Sequence, residues 1–387
     1  RDERLLEAYE KYPKITEVFP LYGVGMTTAR DQFVINKDKN TLINRIRLFK
    51  NSKLSDDDLH KNFKINKKKG WSIRKAWSML QSIPDSDLNK YILPVLYRPF
   101  DSKWIFYHDS VVWRTVKRVM QHMMQENLGL VSVRQVAEGI FNHAFVTDSI
   151  IESRVTLSNK GIAFIFPLYF YPEKLNNKKS PSVTSMMLFE SRAGYKARKP
   201  NLSPEIVKQL KNAYKKIPTP EQIFFYIYAI LYSNIYRIEY AEFLKIDFPR
   251  IPFTNDYKLF IEMGKYGKKL IDLHLLKPKD FDQVAAKFYG KGNEKVVKLK
   301  YDEKEKRVYI NSNQYFEGIT KVIWEYQIGG YQVCHKWLKD RKGRRLSLSD
   351  IKHYCKIITA IQQTIEIQKQ IDKIYMKVEK NVVAKIK

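Results

Sequence analysis

Residues 96–119, LYRPFDSKWIFYHDSVVWRTVKRV, set six aromatic rings among five basic side chains between Tyr97 and Arg118. The first half reads as a strand that ends in a tight turn, because Pro99 fixes its own φ and Asp101 follows as a turn or capping carboxylate. Asp101 is expected either to pair with Arg98 or to cap the next segment. WIFYH then resumes as a strand and the stretch runs into a helix start. That is a half-buried strand–turn–strand unit inside a mixed α/β fold. A second reading stands beside it: stacking rings interleaved with cations also make a surface that suits a polyanion.

Working outward, LGLVSVRQV (128–136), HAFVTDSII (143–151) and AFIFPLYFYP (163–172) carry β-branched and aromatic residues between turn residues, and predict strands of one mixed sheet with WIFYH. Upstream, a charged helix leads into EVFPLYGVG and FVIN, both strand-like, and the polar, lysine-rich residues 50–75 predict two short helices. Downstream, NNKKSPS is loop by composition. LSPEIVKQLKNAY and TPEQIFFYIYAILYSNIYRIEYAEFL predict helices, with Ser203 and Thr219 as N-caps and Pro204 and Pro220 in the first turn. DFPRIPF, with two prolines, predicts an extended connector with Arg250 as an ion-pair partner. EMGKYGKKLIDLHLL resumes a helix, and residues 296–319 predict a β patch with a hairpin near 302–306. Ile351, Tyr354, Ile358, Ile361 and Ile365 repeat at three- and four-residue spacings, so the tail predicts one long helix capped by Ser349. The expected organisation is an N-terminal segment 1–48, a mixed α/β unit 49–195, a helical unit 196–290, and a small β patch with the long helix at 291–387.

Lys and Arg number 70 against 41 Asp and Glu, a formal charge of +29. Such an excess repels itself in the folded state and calls for an acidic partner, of which nucleic acid is the first candidate. A membrane span is not expected, since the longest apolar run, 223–232, is about half the ~20 residues that spanning requires. Cys334 and Cys355 make neither a disulfide framework nor a zinc set, which fits a cytoplasmic protein. The chain opens RDERLLEAYEKY rather than on methionine, as a segment of a longer polypeptide would. It has no phosphate-cradling glycine loop, and no His or Cys spacing for a metal. Asp101, Asp148 and Asp247 lack the carboxylate–lysine constellation of a nuclease. No catalytic residue and no metal ligand is therefore assigned.

Six islands, in order, resemble one family: GVGMTTARDQFVI, LPVLYRPFDSKWIFYH, NHAFVTDSIIESR, FPLYFYP, DFPRIPFT and IGGYQVCHKWLKDRKGRRLS. They are similar to the C-terminal target recognition domain of type ISP restriction–modification enzymes and of related single-chain restriction enzymes with an adenine methyltransferase. The resemblance implies a sequence-specific module for double-stranded DNA. It also implies that a nuclease, a helicase-like motor and a methyltransferase precede it in the parent polypeptide, with residues 1–48 at the edge of the methyltransferase. S-adenosylmethionine, Mg2+ and ATP would serve those domains; the Asn-Pro-Pro-Tyr-type motif and the S-adenosylmethionine loop are absent here, so no cofactor is expected in this chain. Two other classes stay open on the residues alone: an enzyme with an unrecognised active site, and a basic scaffold.

Within that frame, Arg134 and Gln135 are the leading base readers, since Arg holds guanine and Gln holds adenine through two hydrogen bonds each. Their plainer reading has Arg134 paired with Glu138 or Glu152. Asn142, His143, Ser153 and Arg154 are the remaining base-reading candidates. For phosphate, Arg114, Lys117 and Arg118 fall at spacings that share one helical face, and Lys103 lies just before them. Arg341, Lys342, Arg344 and Arg345 form a second cationic cluster, beside Trp337, which reads as core. Thr27, Thr28 and Arg30 follow two glycines and are candidates for backbone contact, or a simple turn.

Overall fold

The computed structural model describes residues 2–157, 161–172, 198–277, 281 and 284–383. NNKKSPS lies outside the described residues. Eight of the strands in the first half build its larger sheets: β1 (Gly23–Val24), β2 (Ile35–Asn36), β3 (Ile92–Arg98), β4 (Asp101–Phe106), β5 (Gly129–Val133), β6 (Phe145–Thr147), β7 (Ile150–Ile151) and β8 (Ala163–Pro167). They form two four-stranded sheets rather than the single sheet expected. One has the order β1-β8-β5-β6 and is antiparallel throughout; the other has the order β2-β4-β3-β7, with β3 and β7 parallel. The split follows from a sharp crossing after β6: β6 pairs with β5, yet β7, three residues on, pairs with β3. Period-2 patterning marks each strand but carries no information about which sheet it joins.

The opening stretch folds as the β3–β4 hairpin. Pro99 occupies the turn, and buried Phe100 takes a left-handed φ of 60°, a strained state for a side chain with a Cβ. Its neighbours hold it there. The ring stands edge-on to Phe145 and His274, and His353 hydrogen-bonds its carbonyl at 2.8 Å. Asp101 does not pair with Arg98. Arg98 turns instead to Glu152 at 2.8 Å, and Asp101 pairs with Arg341.

The second half is helical around Pro220–Tyr232, which is buried along nearly its whole length. Its tyrosines do more than fill space. Tyr226 and Tyr236 donate to the carbonyls of Pro252 and Arg250, and Tyr232 donates to that of Ala144. DFPRIPF cannot satisfy its own backbone in a helix, so phenolic hydroxyls from this helix and the next supply the missing partners. Arg250 likewise serves backbone: its guanidinium donates to the carbonyls of Glu10 and Tyr12 and forms no ion pair among the described residues. The helix Tyr257–His274 crosses Pro220–Tyr232 so closely at Gly267 that a Cβ there would lie 1.8 Å from the Phe225 carbonyl oxygen.

The predicted hairpin is present as Lys300–Asp302 with Arg307–Tyr309. The long tail helix is Leu348–Glu379, and its cap is Ser347, not Ser349: the Ser347 hydroxyl accepts from the Asp350 amide and the Asp350 carboxylate accepts from the Ser347 amide. One connected apolar cluster runs from Tyr9 to Val378. The expected boundary at 48/49 falls inside the helix Lys39–Asn51, and β1 and β2 from residues 1–48 pair into the two sheets. Among the described residues no helix is long and apolar enough to cross a membrane.

Candidate nucleic-acid interface

Folding brings together three segments that are remote in sequence. The helix Lys39–Asn51 packs across β2 and β4, the β3–β4 hairpin lies beside it, and the loop 341–345 closes over the hairpin. Between them lies an open groove of ≈ 1000 Å³. Lys37, Arg45, Lys64, Lys103 and Arg344 line it, with Asp31 as the one lining carboxylate among the described residues. Amides from Gln32, Asn36, Asn44 and Asn62 fill the intervals. Asp31 is already engaged, accepting from Tyr97 Oη at 2.7 Å and from the Thr28 hydroxyl. A wall of cations and amides, with its acid hydrogen-bonded by hydroxyl donors, suits phosphate oxygens and base edges, which offer mainly acceptors to such donors.

The cations are held with different firmness. Lys103 lies 3.7 Å over the Tyr97 ring and 3.7 Å from Asp101, and burial lowers its pKa. Arg45 spends one terminal nitrogen on the carbonyls of Gln32, Phe33 and Ile35, so it braces the groove wall. Lys37 reaches Asp350 at 3.6 Å. Lys64 and Arg344 are exposed, and no ion pair holds either among the described residues.

Two clusters that the sequence lists separately therefore share one cleft, through Lys103 and Arg344. Arg341 is the exception within its cluster. It is buried at 8% exposure, stacks 3.4 Å over Trp337, and pairs with Asp101 at 2.8 Å. It anchors the loop, while Lys342, Arg344 and Arg345 stand outside it.

Thr28 and Arg30 are also interior. Arg30 lies 3.6 Å over the Trp71 ring and donates to the Val111 carbonyl at 3.0 Å; burial pushes its pKa down to about 10. Thr27 is half-buried, and its amide and carbonyl bridge to Arg114. The shared helical face expected for Arg114, Lys117 and Arg118 does not form, because the helix is only Lys117–Met120 and Arg114 belongs to the extended chain before it. All three are nonetheless exposed. Lys117 pairs with Asp109, and Arg118 donates to the Tyr22 carbonyl at 3.2 Å.

Of the base-reading candidates, Arg134, Gln135 and Arg154 are exposed and Asn142, His143 and Ser153 are buried. Arg134 approaches Asp247 at 3.4 Å, not Glu138 or Glu152, and Gln135 donates to the Ile246 carbonyl at 3.4 Å. These contacts tie the end of β5 to the DFPRIPF connector. Ser153 donates to Glu152, the carboxylate that holds Arg98, and burial beside Arg237 pushes the His143 pKa down to about 4. Asn142 and His143 line a small pocket with Gly329 and Gly330. Gly329 is required there, since its φ is 59° and a Cβ would sit 1.8 Å from the Thr156 carbonyl oxygen.

The groove residues Lys37, Arg45 and Lys64 were missed by reasoning from sequence. Their only signal was charge, which they share with the rest of the 70 basic residues. Among the described residues no group of three His, Cys, Asp or Glu side chains could hold a metal ion.

No curated protein matches the chain. The fold is similar to a DrdV–DNA complex, with TM-score 0.70 and 20% identity over 91% of this chain and 36% of that one. It is similar to the ATP-dependent Type ISP restriction-modification enzyme LlaBIII bound to DNA, with TM-score 0.68 and 18% identity over 94% and 24%. A nuclease-deletion mutant of the Type ISP enzyme LlaGI, in complex with a DNA substrate mimic, gives TM-score 0.63 and 18% identity over 94% and 29%. The chain thus spans between a quarter and about a third of these proteins. The model of the Type ISP C-terminal specificity domain matches residues 17–370, and the chain belongs to that family.

Proposed function

We propose that this chain recognises a sequence in double-stranded DNA on behalf of a restriction–modification enzyme. The observation that carries the reading is the groove: Lys103 and Arg344, 241 positions apart in the sequence, face one cleft walled by cations and amides. That three proteins of similar fold were solved on DNA or a DNA mimic supports it. In this reading Arg134, Gln135 and Arg154 read bases, and Lys103, Arg114, Lys117, Arg118, Lys342, Arg344 and Arg345 hold phosphates. Buried Thr28, Arg30, Asn142, His143, Ser153 and Arg341 hold the reading elements in place, with half-buried Thr27 beside them. Residues 49–195 do the reading, 196–290 and 291–387 brace them, and residues 1–48 lie toward a preceding methyltransferase domain. Methylation of adenine and cleavage, with S-adenosylmethionine, Mg2+ and ATP, belong to methyltransferase, helicase-like and nuclease domains of the same cytoplasmic polypeptide. An enzyme that flips a base out of the stack needs the duplex gripped from its other side, and this module supplies the grip.

Selection of duplexes from a randomised pool by the 387-residue chain, followed by sequencing, tests the reading. A consensus is expected. Arg134→Ala or Gln135→Ala relaxes it at one base pair by about 1–3 kcal/mol while nonspecific binding survives. Replacing Arg344 and Arg345 together by Gln weakens all duplexes and flattens the log–log salt slope by about two. A pool recovered without any consensus overturns the proposal.

A further inference from the structure

Apart from Lys64, which lines the groove, the lysine-rich loop after the helix Asp56–Asn62 is given no part in the function above, yet it is built as an ordered element. Lys64 takes a left-handed φ of 52° and turns the chain. Ile65 then plugs into the core at 3% exposure, with its amide on the His60 carbonyl at 2.9 Å and its carbonyl 2.6 Å from the His60 ring. At the far end Trp71 lies under Arg30 and donates to the Ser110 carbonyl at 2.7 Å. Between these two pins, Lys67, Lys68 and Lys69 are exposed. Lys67 is tied to Asp57 at 2.8 Å; no ion pair holds Lys64, Lys68 or Lys69 among the described residues. Crowding cations on a pinned loop costs repulsion that, among these lysines, an ion pair relieves only at Lys67.

The loop's position explains the cost. Lys64 lines the groove beside Lys37 and Arg45. Four residues on, the Lys68 ammonium sits 4.2 Å over the Trp113 ring, next to Arg114. The loop is therefore the physical bridge between the groove and the exposed 114–118 cluster. We propose that Lys64, Lys68 and Lys69 contact phosphates, so that one DNA backbone is followed without a break from Arg344 through the groove and across this loop to Arg118. The inference rests on the DNA-recognition reading and adds a partner-binding element to it. The acidic groups along the path include Asp31 in the groove, which accepts from Tyr97 and Thr28, and Asp57 and Asp109, which already hold Lys67 and Lys117.

The test is binding of the 387-residue chain to a fluorescein-labelled 30-base-pair duplex, followed by anisotropy from 50 to 200 mM salt. The variant is Lys64→Gln/Lys68→Gln/Lys69→Gln. The control is Lys208→Gln/Lys211→Gln/Lys216→Gln, three lysines equally exposed on and after the helix Pro204–Tyr214. At about 0.9 per phosphate contact the loop variant flattens the log–log slope by about 2.7, so across that fourfold salt range it loses about 40-fold less affinity than the parent chain. The control keeps the parent slope. A loop variant with the parent's slope overturns the track while leaving DNA recognition standing. Equal flattening by both variants also overturns it, since binding would then be diffuse. A parent chain that shows no salt-dependent binding overturns the recognition reading itself. Unchanged circular dichroism melts are expected for both variants, as none of the six side chains is buried.

Discussion

Removing the charge of Asp101 tests how the groove is assembled. Its carboxylate meets the Arg341 guanidinium at 2.8 Å, with side-chain exposures of 4% and 10%. The Arg341 guanidinium also stacks on the Trp337 ring and donates to the Trp337 carbonyl at 3.0 Å, neither of which carries a negative charge, and Asp350 attracts it only without direct contact. Asp101→Asn keeps the shape and leaves a buried cation uncompensated, which costs about 3–5 kcal/mol. Lys103, 3.7 Å from the other carboxylate oxygen, loses its partner too and adds to the upper part of that range. Arg341→Met removes the cation instead; Asp101 then retains Lys103, so this variant is expected to lose less. Combining Asp101→Leu with Arg341→Met replaces the pair by apolar groups and is expected to recover most of the loss, though not all, because Lys103 stays half-buried without its nearer carboxylate. The assay is urea unfolding, read as midpoints at constant slope, with the coupling energy taken from the cycle of single and double variants. An Asp101→Asn variant within about 1 kcal/mol of the parent refutes the reasoning, and would return Arg341 to the phosphate-binding set.

Gly267→Ala presses a methyl group against the Phe225 carbonyl where the two central helices cross. Overpacking against backbone is expected to cost about 3 kcal/mol, offset by at most about 1 kcal/mol of helix propensity, and a lowered melting temperature checks it. Stability is also expected to fall with acidity. Burial holds the His143 and His274 pKa values at about 4 and about 3, below the unfolded value near 6.5. Both therefore stabilise the fold above pH 6.5, and that contribution is lost as pH drops toward 4, because the unfolded chain takes up protons first. Between pH 7 and 4.5 the loss is on the order of 3 kcal/mol per histidine, and His143→Gln should remove one share of the pH dependence of the urea midpoint.

The local elements and the family resemblance were legible in the amino-acid sequence. Caps such as Thr219, breakers such as the prolines of DFPRIPF, and the isoleucine period of the tail act within a few residues, so their outcomes are legible one stretch at a time. So is the excess of basic side chains, and with it an anionic partner. Tertiary structure alone decided which strands share a sheet and which charges reach solvent. A cation's role depends on the dielectric around it and on its nearest carboxylate, and both are set by contacts across the chain: Arg341 and Asp101 meet over a separation of 240 residues. Arg344, three positions on, has the same side chain and stands in the open groove. Nothing local distinguishes the two, because the desolvation that turns one into framework comes from Trp337, Asp101 and the hairpin packed around it.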